Sequence, residues 1–192
     1  MSLTRLTPPS AEPVSLAEAK ARLRISGDAH DDTINHWIAA ARERVERDTG
    51  RALLAQTWLE RRDRWDGDGR MLAFGTQFRL LKPPLIALEA VTTYDADGTP
   101  SDFDPAAFFV DTLAEPGRIA LKPDTVWPQP GRRAGGIEIR FRCGYGDQGE
   151  DVPPPLREAI LQLVVAMAGD GAQAALPPVA GSLILPYRSM KL

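Results

Sequence analysis

Apolar residues recur with a helical period at both ends of the chain and with a strand period in its middle. Near the front, Leu16, Ala19 and Leu23 share one face behind Ser15, and Glu18 stands where a capping box needs it. A helix therefore begins at Ser15, and Gly27 and Asp28 end its pattern. Ile34, Trp37, Ile38, Ala41 and Val45 then form one stripe along a longer helix. Asp31 and Asp32 open that helix, where carboxylates complement the positive end of its dipole. Asn35, Arg42, Glu43, Glu46 and Arg47 make its polar face, with Glu43 and Arg47 as a favourable ion pair one turn apart. Gly50 stops it.

From about residue 52 the pattern changes to short, turn-bounded runs: TWLERRDRW, FRLLKPPL, IALEAVTTYDADGT, AFFVD and GRIALK. Asp97-Gly98 reads as a hairpin turn. The cleanest strand is GIEIRFRCG. Ile137, Ile139, Phe141 and Cys143 alternate with Glu138, Arg140 and Arg142, as in a half-buried antiparallel strand. Helical spacing returns after Pro155. Leu156, Ala159, Ile160, Leu163, Val164 and Met167 form a stripe, while Leu161, Val165, Ala166 and Ala168 cover most of the rest. A helix apolar on nearly every side must be buried on nearly every side. With two other convincing helices in the chain, a neighbouring subunit is expected to supply part of that cover. GDGAQAALPPVAG reads as a linker, and before the first helix Pro8, Pro9 and Pro13 make an extended arm.

These elements predict an α+β fold: a small helical bundle, made of two N-terminal helices and a C-terminal helix, with an antiparallel β-rich block inserted. The expected divisions are residues 1–51 for arm and first helices, 52–150 for the β block, and 151–192 for the last helix and tail. Composition changes little in this picture. Of 192 residues, 43% are hydrophobic and 26% charged, as in an ordinary globular protein. A net charge of −3 gives no general drive toward nucleic acid or an anionic membrane. Cys143 is the single cysteine, so no disulfide forms within the chain, in keeping with a reducing cytosol. Neither a membrane-length apolar run nor a secretory signal core is present, so no membrane partner is expected.

The chemistry-bearing candidates are few. Gly144, Gly146 and Gly149 spell G-x-G-x-x-G between a strand and a helix. A dinucleotide fingerprint needs its third glycine at the opening of the helix, whereas Glu150, Asp151 and three prolines intervene here. Asp147, Glu150 and Asp151 would also repel phosphate, so the stretch reads as a turn leaving a sheet. His30 and His36 fall on different helical faces with no third ligand nearby, and the cluster of Asp28, Asp31 and Asp32 reads as helix capping. Cys143 continues the inward face of its strand. No catalytic, cofactor or metal residue is assigned. Arg61, Arg62 and Arg64, flanked by Trp58 and Trp65, form a basic patch that reads as a solvated strand face or as a surface facing DNA. Arg132-Arg133 is a second, smaller patch. Leu183, Ile184, Leu185, Tyr187, Arg188, Met190 and Leu192 crowd apolar character into the terminus, which either folds back as core or docks on a partner.

Taken in order, LTPPSAEPVSLAEAKARLRI, DDTINHWIAAARERVERDTGRALLAQTW, LLKPPLIALEAVTTYDADGT, EPGRIAL, WPQP and CGYGDQGEDVPPPLREAILQLV resemble the phage head–tail connector (adaptor) family. That family includes the adaptors of phage-like gene transfer agents. The resemblance runs from about residue 6 to residue 165 and closes with LPYR. It implies a non-enzymatic virion component without a cofactor, assembled in the bacterial cytoplasm. Such a protein forms a ring, commonly dodecameric, between the portal and the stopper or tail proteins, and lines the DNA exit channel with transient, nonspecific DNA contact. It places the tail residues 183–192 against the portal, and gives Leu156, Ile160, Leu161, Val164, Val165 and Met167 a subunit-interface or bundle role. The shortness of GDGAQAALPP departs from many relatives. Two readings of other classes stand beside it: a nucleic-acid-binding module acting through Arg61, Arg62 and Arg64, and a dinucleotide-dependent enzyme acting through the glycine loop.

Overall fold

The computed structural model describes residues 2–65, 77–123, 125–171 and 174–189. The chain forms two compact units: Met1–Pro8 with Gln56–Gly144, and Pro9–Ala55 with Tyr145–Leu192.

The first unit is the β block. Strand β1 (Ser2–Thr7) pairs with β2 (Gln56–Arg62), which pairs with β8 (Ile137–Cys143), then β4 (Leu85–Tyr94) and β5 (Pro100–Phe103). All these pairings are antiparallel. A second sheet has the order β3 (Gln77–Arg79), β7 (Arg118–Leu121), β6 (Phe108–Asp111), again antiparallel. The alternation expected of β8 holds: Ile137, Ile139, Phe141 and Cys143 are completely buried, while Glu138, Arg140 and Arg142 lie on the other face. The β4–β5 turn is built around Asp95. Its carboxylate accepts the amides of Asp97 and Thr99, and Gly98 takes the positive φ of +87° that a glycine tolerates. Between the sheets' residues, Trp65, Phe78, Phe108 and Trp127 form an aromatic cluster with ring centroids 4.6–5.5 Å apart.

The first residues are extended, as expected of the arm, and they are also paired. Ser2–Thr7 is an edge strand of the five-stranded sheet, with Leu3 opposite Glu60 and Arg5 opposite Trp58. The extended conformation was legible; its pairing needed the exposed edge of β2 as a template.

The second unit is the bundle. Helix α1 (Leu16–Leu23) carries the expected capping box: the Glu18 amide donates to Ser15 Oγ at 3.2 Å and the Ser15 amide to Glu18 Oε2 at 2.8 Å. Helix α2 (Asp31–Thr49) ends at Gly50, whose φ of +75° is the left-handed C-cap. Helix α3 (Pro154–Asp170) starts on prolines, as anticipated. A fourth helix, α4 (Pro178–Ile184), followed by a single 3-10 turn (Leu185–Tyr187), occupies the end of the stretch read as linker and the start of the tail. Val14, Ile34, Ile38, Ala41, Val45, Leu156, Ile160, Leu163, Val164 and Ile184 make one continuous core.

The polar face expected of α2 is corrected at two positions. Arg42 and Glu46 are buried. Arg42 pairs with Glu12 at 2.8 Å and with Glu46 at 3.3 Å, and Glu46 accepts the Leu53 amide at 2.9 Å. The segments before α1 and after α2 fold over this side of the helix, and the buried charges stay inside because they are paired and hydrogen-bonded.

Candidate assembly surfaces

The glycine loop is occupied by its own chain. The Gly144 amide donates to Pro84 O at 2.9 Å, the Tyr145 amide to Leu53 O at 3.0 Å, and the Ala55 amide to Gly146 O at 2.8 Å. A methyl group on Gly146 would lie 2.2 Å from an Asp151 carboxylate oxygen, and one on Gly149 would lie 2.9 Å from Pro13 O. Asp151 in turn accepts the Gln148 amide at 2.9 Å. These glycines permit close internal packing, and the nearest group to Gly146 is an anion that would oppose phosphate.

Helix α3 is largely spoken for. Leu156, Ile160, Val164 and Met167 sit in the chain's own core, against α1, α2 and α4. Helix α4 packs against α3 and supplies part of this cover. Of the six residues given an interface or bundle role, Leu161 is half-buried and Val165 is 39% exposed. Leu161 lines a shallow groove with Glu18, Ala21, Arg22 and Arg24. Across that helix pair, Arg22 grips Glu158 through two hydrogen bonds of 2.6 and 2.8 Å, and this contact lowers the Glu158 pKa. The Ser15 amide bond, together with Arg157, lowers that of Glu18.

The three arginines of the first basic patch do not share a face. Successive strand residues point to opposite sides, and β2 therefore separates Arg61 from Arg62. Arg61 donates to Glu138 at 2.6 Å on the outer side. Arg62 turns inward, donating to Glu60 at 2.7 Å and to Arg79 O at 2.7 Å, and lies 5.3 Å from the Phe78 ring centre. Glu60 is completely buried, and burial pushes its pKa up against the opposing pull of Arg62 and the Leu81 amide. Arg64 is exposed beyond the end of the strand. Arg132 of the second patch stacks over Tyr94 at 4.6 Å and donates to Ala134 O and Gly135 O, closing its own loop.

The terminal segment divides in the same way. Ile184 is completely buried, and Leu183 and Tyr187 pack partly against the core. Leu185 is 62% exposed, and Arg188 is exposed. Met190 and Leu192 lie outside the described residues. Sequence reading missed a set of apolar side chains on the β block: Phe109 is 57% exposed and Leu113, in the β6–β7 connection, 94%. AFFVD carried a signal, since two adjacent phenylalanines in one strand must face opposite sides.

His36 is exposed, and its Nδ1 lies 2.7 Å from Asp32 O. Asp31 pairs with Lys20 at 2.6 Å. Cys143 is buried with its Sγ 3.8 Å from Gln56 O. Among the described residues, no group of three or more His, Cys, Asp or Glu is placed to hold a metal ion, and no helix is long and apolar enough to cross a membrane.

Residues 13–72 match the family model described as phage gp6-like head-tail connector protein. No curated protein matches the chain. Among solved structures, a chain of the "Virion of native gene transfer agent (GTA) particle" is similar with a TM-score of 0.79 and 22% identity, covering 100% of this chain and 97% of that one. A chain of the "Neck of empty GTA particle computed with C6 symmetry" gives 0.78 and 23%, and one of the "Neck of native GTA particle computed with C12 symmetry" gives 0.75 and 24%, each with the same coverage. Residues 13–72 thus resemble the phage head–tail connector family, and the whole chain shares its fold with components of gene transfer agent particles.

Proposed function

We propose that this chain is a structural head–tail adaptor of a tailed phage or gene transfer agent, and not an enzyme. The observation that carries the reading is the full-length fold likeness to neck chains, combined with the connector match over residues 13–72. Copies of the chain form a ring at the head–tail junction, between the portal and the stopper or tail proteins, and surround the channel through which DNA leaves. Twelve subunits is the count favoured by the twelvefold symmetry named for one similar neck. A ring joins unlike surfaces of successive subunits, so each subunit needs two distinct exposed patches. Of the six α3 residues given this role, Leu161 and Val165 are the two open to such contact. Leu185 and Arg188, with Leu183 and Tyr187 at their edge and residues 190–192 beyond, make up the portal-facing terminus. Arg61, paired with Glu138, offers DNA at most weak and salt-sensitive attraction.

The test is the mass of the purified protein, alone and mixed with the portal of the same particle. A ring-sized assembly, or a portal complex lost when residues 185–192 are deleted, is expected. A monomer that ignores the portal at high concentration would overturn the adaptor reading.

A further inference from the structure

The C-terminal segment is tied to the bundle at one place. Arg51 directly follows the C-cap of α2 and is buried. Its Nε donates to Tyr187 O at 2.6 Å, its Nη1 donates to Tyr145 Oη at 3.2 Å, and its guanidinium lies 5.9 Å from the Tyr187 ring centre. Beside it, the Ser189 amide donates at 2.8 Å to Thr49 O, in the last turn of α2. Carbonyls in that turn lack a partner within the helix, so the terminal segment completes the end of α2. A methyl group on Gly50 would stand in ordinary contact with Ser189 Cβ, at 3.4 Å, so the left-handed φ of +75° and not the space is what favours glycine there. Three parts of the chain distant in sequence therefore meet at one side chain: the end of α2, the glycine loop at Tyr145, and residues 187–189.

We infer that Arg51 is a positioning residue that clamps residues 185–189 onto the bundle and so sets the point from which the C-terminus leaves it. A planar guanidinium spreads its donors over separate nitrogens and can hold a backbone carbonyl and a phenol together at fixed positions, whereas a lysine would have to reach both from a single nitrogen. The docking reading gives the clamp its purpose, since a terminus held at its root loses less entropy on meeting a partner. The clamp itself stands without that reading.

Hydrogen exchange on the isolated full chain tests it. In Arg51→Ala, exchange at the Ser189 and Arg188 amides is expected to accelerate about tenfold to a hundredfold, the worth of a lost charged hydrogen bond. Amides of Leu163 and Val164 in α3 should keep their wild-type rates. Arg51→Lys should resemble Arg51→Ala. Unchanged Ser189 exchange would overturn the clamp, and so would an equal acceleration in α3, which would make Arg51 a strut of the whole bundle. If Arg51→Ala does not fold, Tyr145→Phe carries the test: a few-fold acceleration confined to residues 187–189 supports the clamp, and none overturns it. Portal binding is a separate measurement, so intact exchange behaviour with no portal complex would sink only the docking reading.

Discussion

At the scale of single residues, the buried charges are the most informative. Glu60 has no exposed surface, yet its carboxylate faces Arg62 and the Leu81 amide. Burial is the largest influence on it and raises its pKa above the usual 4.5. A raised carboxylate pKa means that the folded state binds this proton more tightly than the unfolded chain. The group's contribution is therefore most favourable below pH 4.5 and is lost as pH rises through the folded value. Glu60→Gln abolishes that titration. Its stability relative to wild type should fall as the pH is lowered from 7 toward 4.5, measured as urea midpoints across that range. Glu18 and Glu158 act in the opposite sense, because their pKa values are lowered. Their contribution is present above 4.5 and is lost as pH falls through their folded values. Both are partly exposed, so each amounts to no more than about 1 kcal/mol. A side-chain pattern announces that Glu46 and Glu60 are acidic, but it does not announce that they are inside. That depends on Leu53, Leu81 and Arg62, which only the folded chain brings to them.

At the scale of elements, the glycine loop and α4 show two ways in which local pattern meets its surroundings. The motif between β8 and α3 looked like a phosphate cradle in spelling but not in setting. Its glycines admit Asp151 and Pro13 O at distances where a methyl group cannot stand. Gly146→Ala must push the Asp151 side chain away and break its bond to the Gln148 amide. A loss of about 1–3 kcal/mol in unfolding free energy is expected. Nucleotide added at millimolar concentration should leave the melting temperature of wild type and variant unchanged. A nucleotide-dependent rise in wild type that the variant lacks would restore the dinucleotide reading. Helix α4 is too short, and too rich in proline and glycine, to be called from periodicity. It forms because Ala180 and Ile184 drop into the core beside α3. Ile184→Ala removes a fully enclosed side chain and should cost about 2–5 kcal/mol by denaturant unfolding. Leu185→Ala, one residue on and mostly exposed, should change stability by less than about 0.5 kcal/mol. That contrast locates the point at which the terminal segment leaves the core.

At the scale of the whole molecule, the prediction concerns assembly. Val165 is exposed on α3, beside the stripe from Leu156 to Met167 that packs in the core, and Leu161 edges an open groove. Val165→Asp should leave the unfolding midpoint nearly unchanged and weaken ring formation, seen as a shift toward monomer in light scattering. A ring unaffected by Val165→Asp would move the subunit contact to other surfaces, of which the exposed Phe109 and Leu113 on the β block are the next to test.

By itself, the sequence determined whatever depends on neighbours along the chain. This includes the Ser15–Glu18 cap, the α2 stripe ending at Gly50, the alternation of β8, the Asp97-Gly98 turn, and the order of helices and strands. Each is decided within a few residues by backbone sterics and side-chain period, so each is written locally. Tertiary structure alone decided what depends on partners distant in the chain. It turned the N-terminal arm into a strand on β2, buried Arg42, Glu46 and Glu60, and split Arg61 from Arg62 across a sheet. It also laid α4 against α3. Burial and pairing are properties of the surroundings that a residue acquires on folding, and no local pattern records which surroundings those will be.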